Sequence, residues 1–384
     1  MTMLLEIHML KNYPATNLNR DDMGAPKSCM FGGVQRSRIS SQCLKRSWRV
    51  SPLFQKEMAG HLGVRTRKMP QLVKNRLLEM GVAEEMALAV EKKLTGFANK
   101  AGKERDDGIT SQIVLYAPED IQAIADAVKV HIDEAKDAKA FTKIKATDIE
   151  KSVTGAGGRP VSLDIALFGR MVTSTAFADV EAAMQVAHAF STNRVIMESD
   201  FFVAMDDMID GQEELGAGMM DNVDYNSSCY YIYASLDMDK LLANLKNAEN
   251  PEALVEAVIP SLLRTMAYSN PSGKQNSFAG NVLPAAVLVE CKDYPVPVSY
   301  ANAFAKPAKA SANTDLVEDS IAKLQQHVLA TAKAFPSLST AHRVWFDASG
   351  IAAEQDDLWR DNLKVETAQN YDELIEMVRA FLQK

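Results

Sequence analysis

Two short apolar runs, CYYIYASL at Cys229–Leu236 and PAAVLVEC at Pro284–Cys291, place the tightest constraint on the fold. Their aromatic and β-branched content and their length predict strands, the second a buried one. Two further strands are predicted at Met3–Leu10 and at HRVWFD, His342–Asp347. In the first, Leu5, Ile7 and Met9 share one face and Glu6 and His8 the other, so His8 reads as a surface or edge residue. Helical patterns lie between the strands: DMDKLLANL from Asp237, Pro251–Tyr268 with Pro260 set to kink or divide it, Leu316–Phe335 and Tyr371–Lys384. Strands separated by helices predict an α+β architecture. With 384 residues and 47% hydrophobic content, the chain has core enough for one large domain or two ordinary ones.

From about Ser51 to Thr154 the pattern is helical, with apolar spacing over Leu72–Met80, Ala83–Ala98 and Pro118–Ala135 and a helix start at Ala117–Asp120. ANKAGKERDDG, Ala98–Gly108, reads as loop, and GAGGRP, Gly155–Pro160, as a hinge or turn. The latter lacks the GxxxxGK[ST] pattern and a preceding strand, which argues against a phosphate loop. Ala178–Phe190 predicts a helix on which His188 packs at the spacing of Met184. Ser191–Asp224 mixes Phe201, Phe202, Met205, Met208, Met219 and Met220 with acids and glycines, which suggests a loop or small projection.

Charge is unevenly spread. Between Met23 and Arg76 stand twelve basic residues and one acid, Glu57, a balance of +11 in a chain of net −8, so the remainder carries −19. An acidic body with one basic face leaves a polyanion one productive orientation, which points to a phosphate-backbone partner. Within this block Ser40 and Ser41 can cap a helix QCLKRSWR. At about 100° per residue, Gln42, Lys45, Arg46 and Arg49 share an arc of roughly 100°, with Leu44 and Trp48 opposite. No acid stands three or four residues from these cations, as it would on a surface helix that merely balances its charge. Upstream, Asn19, Arg20 and Lys27, together with the pair Gly32 and Gly33, form a loop able to approach sugar and phosphate.

Cys29, Cys43, Cys229 and Cys291 are too widely spaced for a CxxC metal or redox site, so a reduced cytoplasmic setting is the simplest reading and no metal or cofactor is expected. No apolar run approaches the length of a membrane span, and no leader is expected.

Several stretches carry a family resemblance: LNRDD at Leu18–Asp22, FGG at Phe31–Gly33, RISSQCLKR at Arg38–Arg46, DIALFGRM at Asp164–Met171, FFVAMDDM at Phe201–Met208, GKQ at Gly273–Gln275 and SYANAF at Ser299–Phe304. In this order they resemble the CasC (Cse4) family, whose members form the repeated backbone subunit of Cascade, the type I-E CRISPR surveillance complex. The resemblance implies a ferredoxin-like (RRM-type) palm in residues 1–55 and 181–384, a helical fingers insertion in 56–180 and a thumb loop at about 194–224. It implies a non-catalytic subunit that polymerises head to tail along a CRISPR guide RNA, presents it to target DNA and joins other Cascade subunits, with no membrane partner. The RNA-binding set expected here is Asn19, Arg20, Lys27, Arg36, Arg38, Ser40, Gln42, Lys45, Arg46, Arg49, Lys274 and Gln275. Met171 and Phe202 are expected as apolar wedges that fill the stack where a base is displaced, with Phe201 in the second role if the register slips by one.

A competing class is an endoribonuclease, since Asp21 and Asp22 adjoin the basic stretch and Asp200, Asp206 and Asp207 flank the thumb. Acid–base chemistry needs positioned groups with tuned pKa values, usually including a histidine. Near the basic block stands only His61, in no recognisable constellation, so the non-catalytic reading is preferred.

Overall fold

The computed structural model describes residues 3–99, 102–135, 137–204, 219–338, 340–349 and 357–383. The chain begins with a long strand, β1 (Leu4–Thr16), and a hairpin of β2 (Ser28–Phe31) and β3 (Val34–Ile39) that runs into α1 (Ser41–Arg49) and α2 (Pro52–Glu57). A helical stretch follows: β4 (Val64–Thr66), α3 (Met69–Glu79), α4 (Glu84–Leu94), β5 (Val114–Tyr116), α5 (Pro118–Ala135), α6 (Ala138–Phe141), α7 (Ala146–Ser152) and α8 (Leu163–Phe168). Strands β6 (Met184–Val186), β7 (Ala189–Ser191), β8 (Glu198–Ala204) and β9 (Met219–Asp237) come next. The chain then forms α9 (Met238–Asn244), α10 (Pro251–Tyr268), α11 (Gln275–Phe278), β10 (Ala286–Lys292), α12 (Leu316–Ala334), β11 (His342–Asp347), α13 (Asp357–Leu363), β12 (Glu366–Thr367) and α14 (Tyr371–Leu382).

Residues 1–54, 185–237 and 256–384 form one compact unit, and residues 55–184 with 238–255 form another. In the first, the described residues build a ten-stranded sheet of order β12-β11-β10-β1-β9-β7-β3-β2, with β6 and β8 also paired to β9. The mixed α/β content agrees with the α+β expectation. β1 is antiparallel to both its neighbours, β9 and β10, and β11–β12 is a parallel pair. Because β1 is central, every residue from Leu4 to Leu10 is buried. On one face Leu10, Leu288 and Trp345 pack with Ile321, Leu324 and Val328 of α12. On the other, Phe346 meets Tyr371 of α14 edge to face, and the Tyr371 hydroxyl donates to Leu263 O of α10.

His8 lies on the α12 face, opposite Leu288, and the covering there corrects its reading as a surface or edge residue: it is fully buried. Its Nδ1 lies 2.8 Å from the Tyr231 hydroxyl and its Nε2 3.4 Å from Glu290. Glu290 accepts from Arg343 Nε at 2.7 Å and from the Tyr300 hydroxyl at 2.8 Å, while Lys292 pairs with Glu6. Burial alone would raise the Glu290 carboxyl, but His8, Lys292 and Arg343 together hold it below the ordinary range.

Three other expectations change. Ala178–Phe190 contains no helix: it is extended, and Arg38 and Ile39 pair with Phe190 and Ala189. Its alanine content favours a helix, but burying Ala189 and Ser191 on either side of Phe190 in the sheet prevails. Pro260 does not divide α10, which runs unbroken from Pro251 to Tyr268. The expected thumb loop is partly a ribbon, β8 paired with β9 from Glu198↔Tyr225 to Ala204↔Met219. Met205, Asp206, Asp207 and Met208 lie outside the described residues.

The second unit is helical around Val73, Val90, Leu94, Phe97, Ile124 and Phe141. Two residues of the DIALFGRM motif serve its structure. Asp164 accepts from Gly63 N at 2.9 Å, and Arg170 pairs with buried Asp120 at 2.5 Å. No helix among the described residues is long and apolar enough to cross a membrane.

Candidate nucleic-acid interface

The capping signal at Ser40 is realised: its hydroxyl accepts from Cys43 N at 3.3 Å, which starts α1. Asn19 holds the entry from outside, its Oδ1 accepting from Ser40 N at 2.9 Å. Both residues therefore position the helix. Leu44 and Trp48 are buried, Gln42 and Arg46 are exposed, and Lys45 and Arg49 are half-buried. Burial lowers the Lys45 pKa. Arg46 and Arg49 also suit the negative end of the helix dipole.

The hairpin before α1 brings further cations to this region. Arg38 Nη1 lies 2.7 Å from His188 Nδ1. Partial burial, reinforced by Arg38 and Lys27, lowers the His188 pKa, so the ring stays neutral and can accept from the guanidinium. His188 was expected to pack and is instead exposed beside Arg38, since it stands in the link between β6 and β7 rather than on a helix face. Lys27 and Arg46 both act on the Cys43 thiol, whose pKa burial nevertheless raises. Lys27, Arg38, Arg46 and His188 therefore converge at the start and outer side of α1.

Arg36 is a correction. It is fully buried, and its guanidinium donates to the carbonyls of Ser191 (3.0 Å), Thr192 (2.6 Å) and Phe304 (2.7 Å). A group so enclosed offers nothing to a phosphate. Gly32 is likewise structural: it has φ +61°, and a Cβ there would collide with the Ala305 carbonyl, so FGG and SYANAF meet by packing. Gly33 stands open.

The GKQ loop joins the same region. A Cβ at Gly273 would strike the Leu18 carbonyl, which seats the loop on the strand of backbone that leads to Asn19. Gln275 is used internally, donating to Pro271 O at 2.9 Å, while half-buried Lys274 adopts a left-handed φ of 51°. Arg20 is exposed. Asp21 shapes its own turn by accepting from Met23 N at 2.9 Å and Ala25 N at 3.0 Å, and Asp22 is exposed.

On the ribbon, pleat separates the two phenylalanines. Phe202 shares a face with Asp200, Asp221 and Tyr225, and Phe201 lies on the other face with Val203 and Met220. Tyr225 in turn contacts Phe278 of α11 at 5.6 Å between ring centres. In the helical unit Met171 is 93% exposed, so it is no core residue.

The basic block is divided between the two units after Phe54. In the helical unit several of its members have local partners: Lys74 pairs with Glu91 at 2.6 Å, Arg76 with Glu79 at 2.8 Å, and Arg67 donates to Thr110 O at 2.8 Å. Contiguity in sequence had merged two sets of cations. Among the described residues, no group of three or more His, Cys, Asp and Glu side chains is gathered to hold a metal.

Residues 5–376 match the family of CT1975-like proteins. The chain belongs to that family. Two solved structures share the fold of this CT1975-like protein. A chain of a "CRISPR RNA-guided surveillance complex, pre-nicking" is 26% identical, with 98% of this chain and 99% of that one covered and a TM-score of 0.80. A chain of a "CRISPR RNA-guided surveillance complex" is 21% identical, with 99% of each covered and a TM-score of 0.61. No curated protein matches the sequence.

Proposed function

We infer that this chain is a non-catalytic RNA-binding subunit of a Cascade-type CRISPR surveillance complex, of the type I-E CasC kind, that polymerises along a guide RNA and presents it to target DNA. The observation that carries the reading is α1: a capped helix with a cationic outer face, held by Asn19 and flanked by Lys27, Arg38 and the GKQ loop. The names of the two structures that match over nearly their whole lengths support it. In this reading the sheet unit is a palm of ferredoxin-like descent, the helical unit the fingers, and the β8–β9 ribbon the thumb. Phosphate contacts give position without base identity, as a subunit that coats any guide requires. A head-to-tail contact that does not close builds an open filament alongside the other subunits, so guide length sets the copy number. The four free cysteines suit the cytoplasm.

Lys45→Ala with Arg49→Ala is expected to weaken single-stranded RNA binding for all sequences alike and to shallow the salt slope by roughly 0.7 per lost contact. Wild-type affinity and slope in that variant would remove α1 from the interface. Labelled RNA and DNA incubated with the protein and Mg²⁺ or Mn²⁺ should stay intact. Cleavage abolished by Asp22→Asn would establish the nuclease instead.

A further inference from the structure

We propose that the cleft between α1 and the C-terminal end of α10 docks a single unstacked nucleobase of the bound RNA, an inference that rests on the RNA-binding reading above. The cleft holds about 530 Å³ and is lined by Arg46, Val50, Pro52, Tyr268 and Asn270, among others. Its walls are of two kinds. Val50 and the Tyr268 ring are each 43% exposed, and with Pro52 they give flat apolar surface. Asn270 supplies a fixed polar group. Beneath it Lys11, 1% exposed, donates from Nζ to Ser269 O at 2.9 Å and to Asn270 Oδ1 at 3.3 Å. The buried Tyr13 hydroxyl donates to the same Oδ1 at 2.7 Å.

A buried phenol with a raised pKa keeps its proton, and the Lys11 nitrogen carries N–H donors whether charged or neutral, so the two donors fix the carbonyl end of the Asn270 amide toward them. The NH₂ end is left for the cleft, where it has no partner among the described residues. This directs a preset donor at an aromatic and aliphatic slot. The ligand that fits has a flat apolar face and an acceptor on its edge, which describes a nucleobase. A bare phosphate would waste the apolar walls. Arg46 belongs both to the cleft and to the outer face of α1, so a strand whose phosphates follow α1 can turn one base inward past it. Every base has an acceptor on an edge, so the site orders a base without reading sequence.

The test uses the full chain bound to single-stranded RNA containing 4-thiouridine, irradiated and mapped by mass spectrometry. Crosslinks are expected at Tyr268 or within Val50–Leu53. In titrations Tyr268→Ala and Asn270→Ala should each lose roughly tenfold in affinity with an unchanged salt slope, since no phosphate contact is removed. Crosslinks confined to other segments, or wild-type affinity in both variants while Lys45→Ala with Arg49→Ala loses binding, would overturn the cleft and leave the RNA-binding reading standing. Unchanged affinity in all three would remove that reading and the cleft with it. If the cleft variants melt early, the crosslink map of the unaltered chain decides alone.

Discussion

Arg36 and Arg46 belong to one basic run, and burial gives them opposite tasks. Arg36→Ala would leave several carbonyls enclosed without a donor, and it is expected to cost about 3–5 kcal/mol of stability in chemical denaturation. Exposed Arg46 changed to Ala should stay within about 0.5 kcal/mol of the parent while losing RNA affinity. Lys11 gives a prediction in pH. Burial lowers its pKa to about 7, so from there up to the ordinary lysine range the unfolded chain keeps a proton that the folded chain has shed. Its contribution therefore makes stability rise with pH across that window, and Lys11→Met should remove the rise in denaturation curves measured at several pH values. Neither Lys11 nor His8 was legible as buried, because the two lie on opposite faces of β1 and each is enclosed by elements hundreds of residues away: His8 by Tyr231, Tyr300 and the α12 side, Lys11 by the Ser269–Asn270 segment after α10.

At the scale of elements, legibility follows how local the deciding interactions are. The limits of α1 could be read because its cap and its arc of cations are set within ten residues, as could those of α5 and β11, which start and stop on their own signals. Ala178–Phe190 could not be read, because pairing with β3 and β9 decides its state. Within the candidate interface, the capped helix α1 and its cationic outer side were legible, whereas the burial of Arg36 and the division of the basic block depended on packing. The ribbon turns an open choice into a test, since Phe201 and Phe202 point to opposite faces. Phe202→Ala is expected to leave the melting temperature nearly unchanged while weakening the periodic pattern in chemical probing of the bound guide's bases. If Phe201→Ala alone disturbs that pattern, the guide lies on the other face of the ribbon.

For the whole molecule, an open head-to-tail filament predicts that the mass of the RNA complex, weighed intact, rises in steps of one subunit as the RNA is lengthened. A single mass for all lengths would indicate a closed ring instead. The central place of β1 has a different kind of consequence. Leu4 pairs with Asp237 on one side and Lys292 on the other, so β1 leaves the ribosome long before either partner. At about 5–20 residues per second, the wait is on the order of ten seconds to a minute. Throughout it, LLEIHML has two unsatisfied edges and no covering helix, the condition in which strands of different nascent chains join one another. Yield during synthesis therefore depends on how well this first strand is shielded until the middle of the chain has been made.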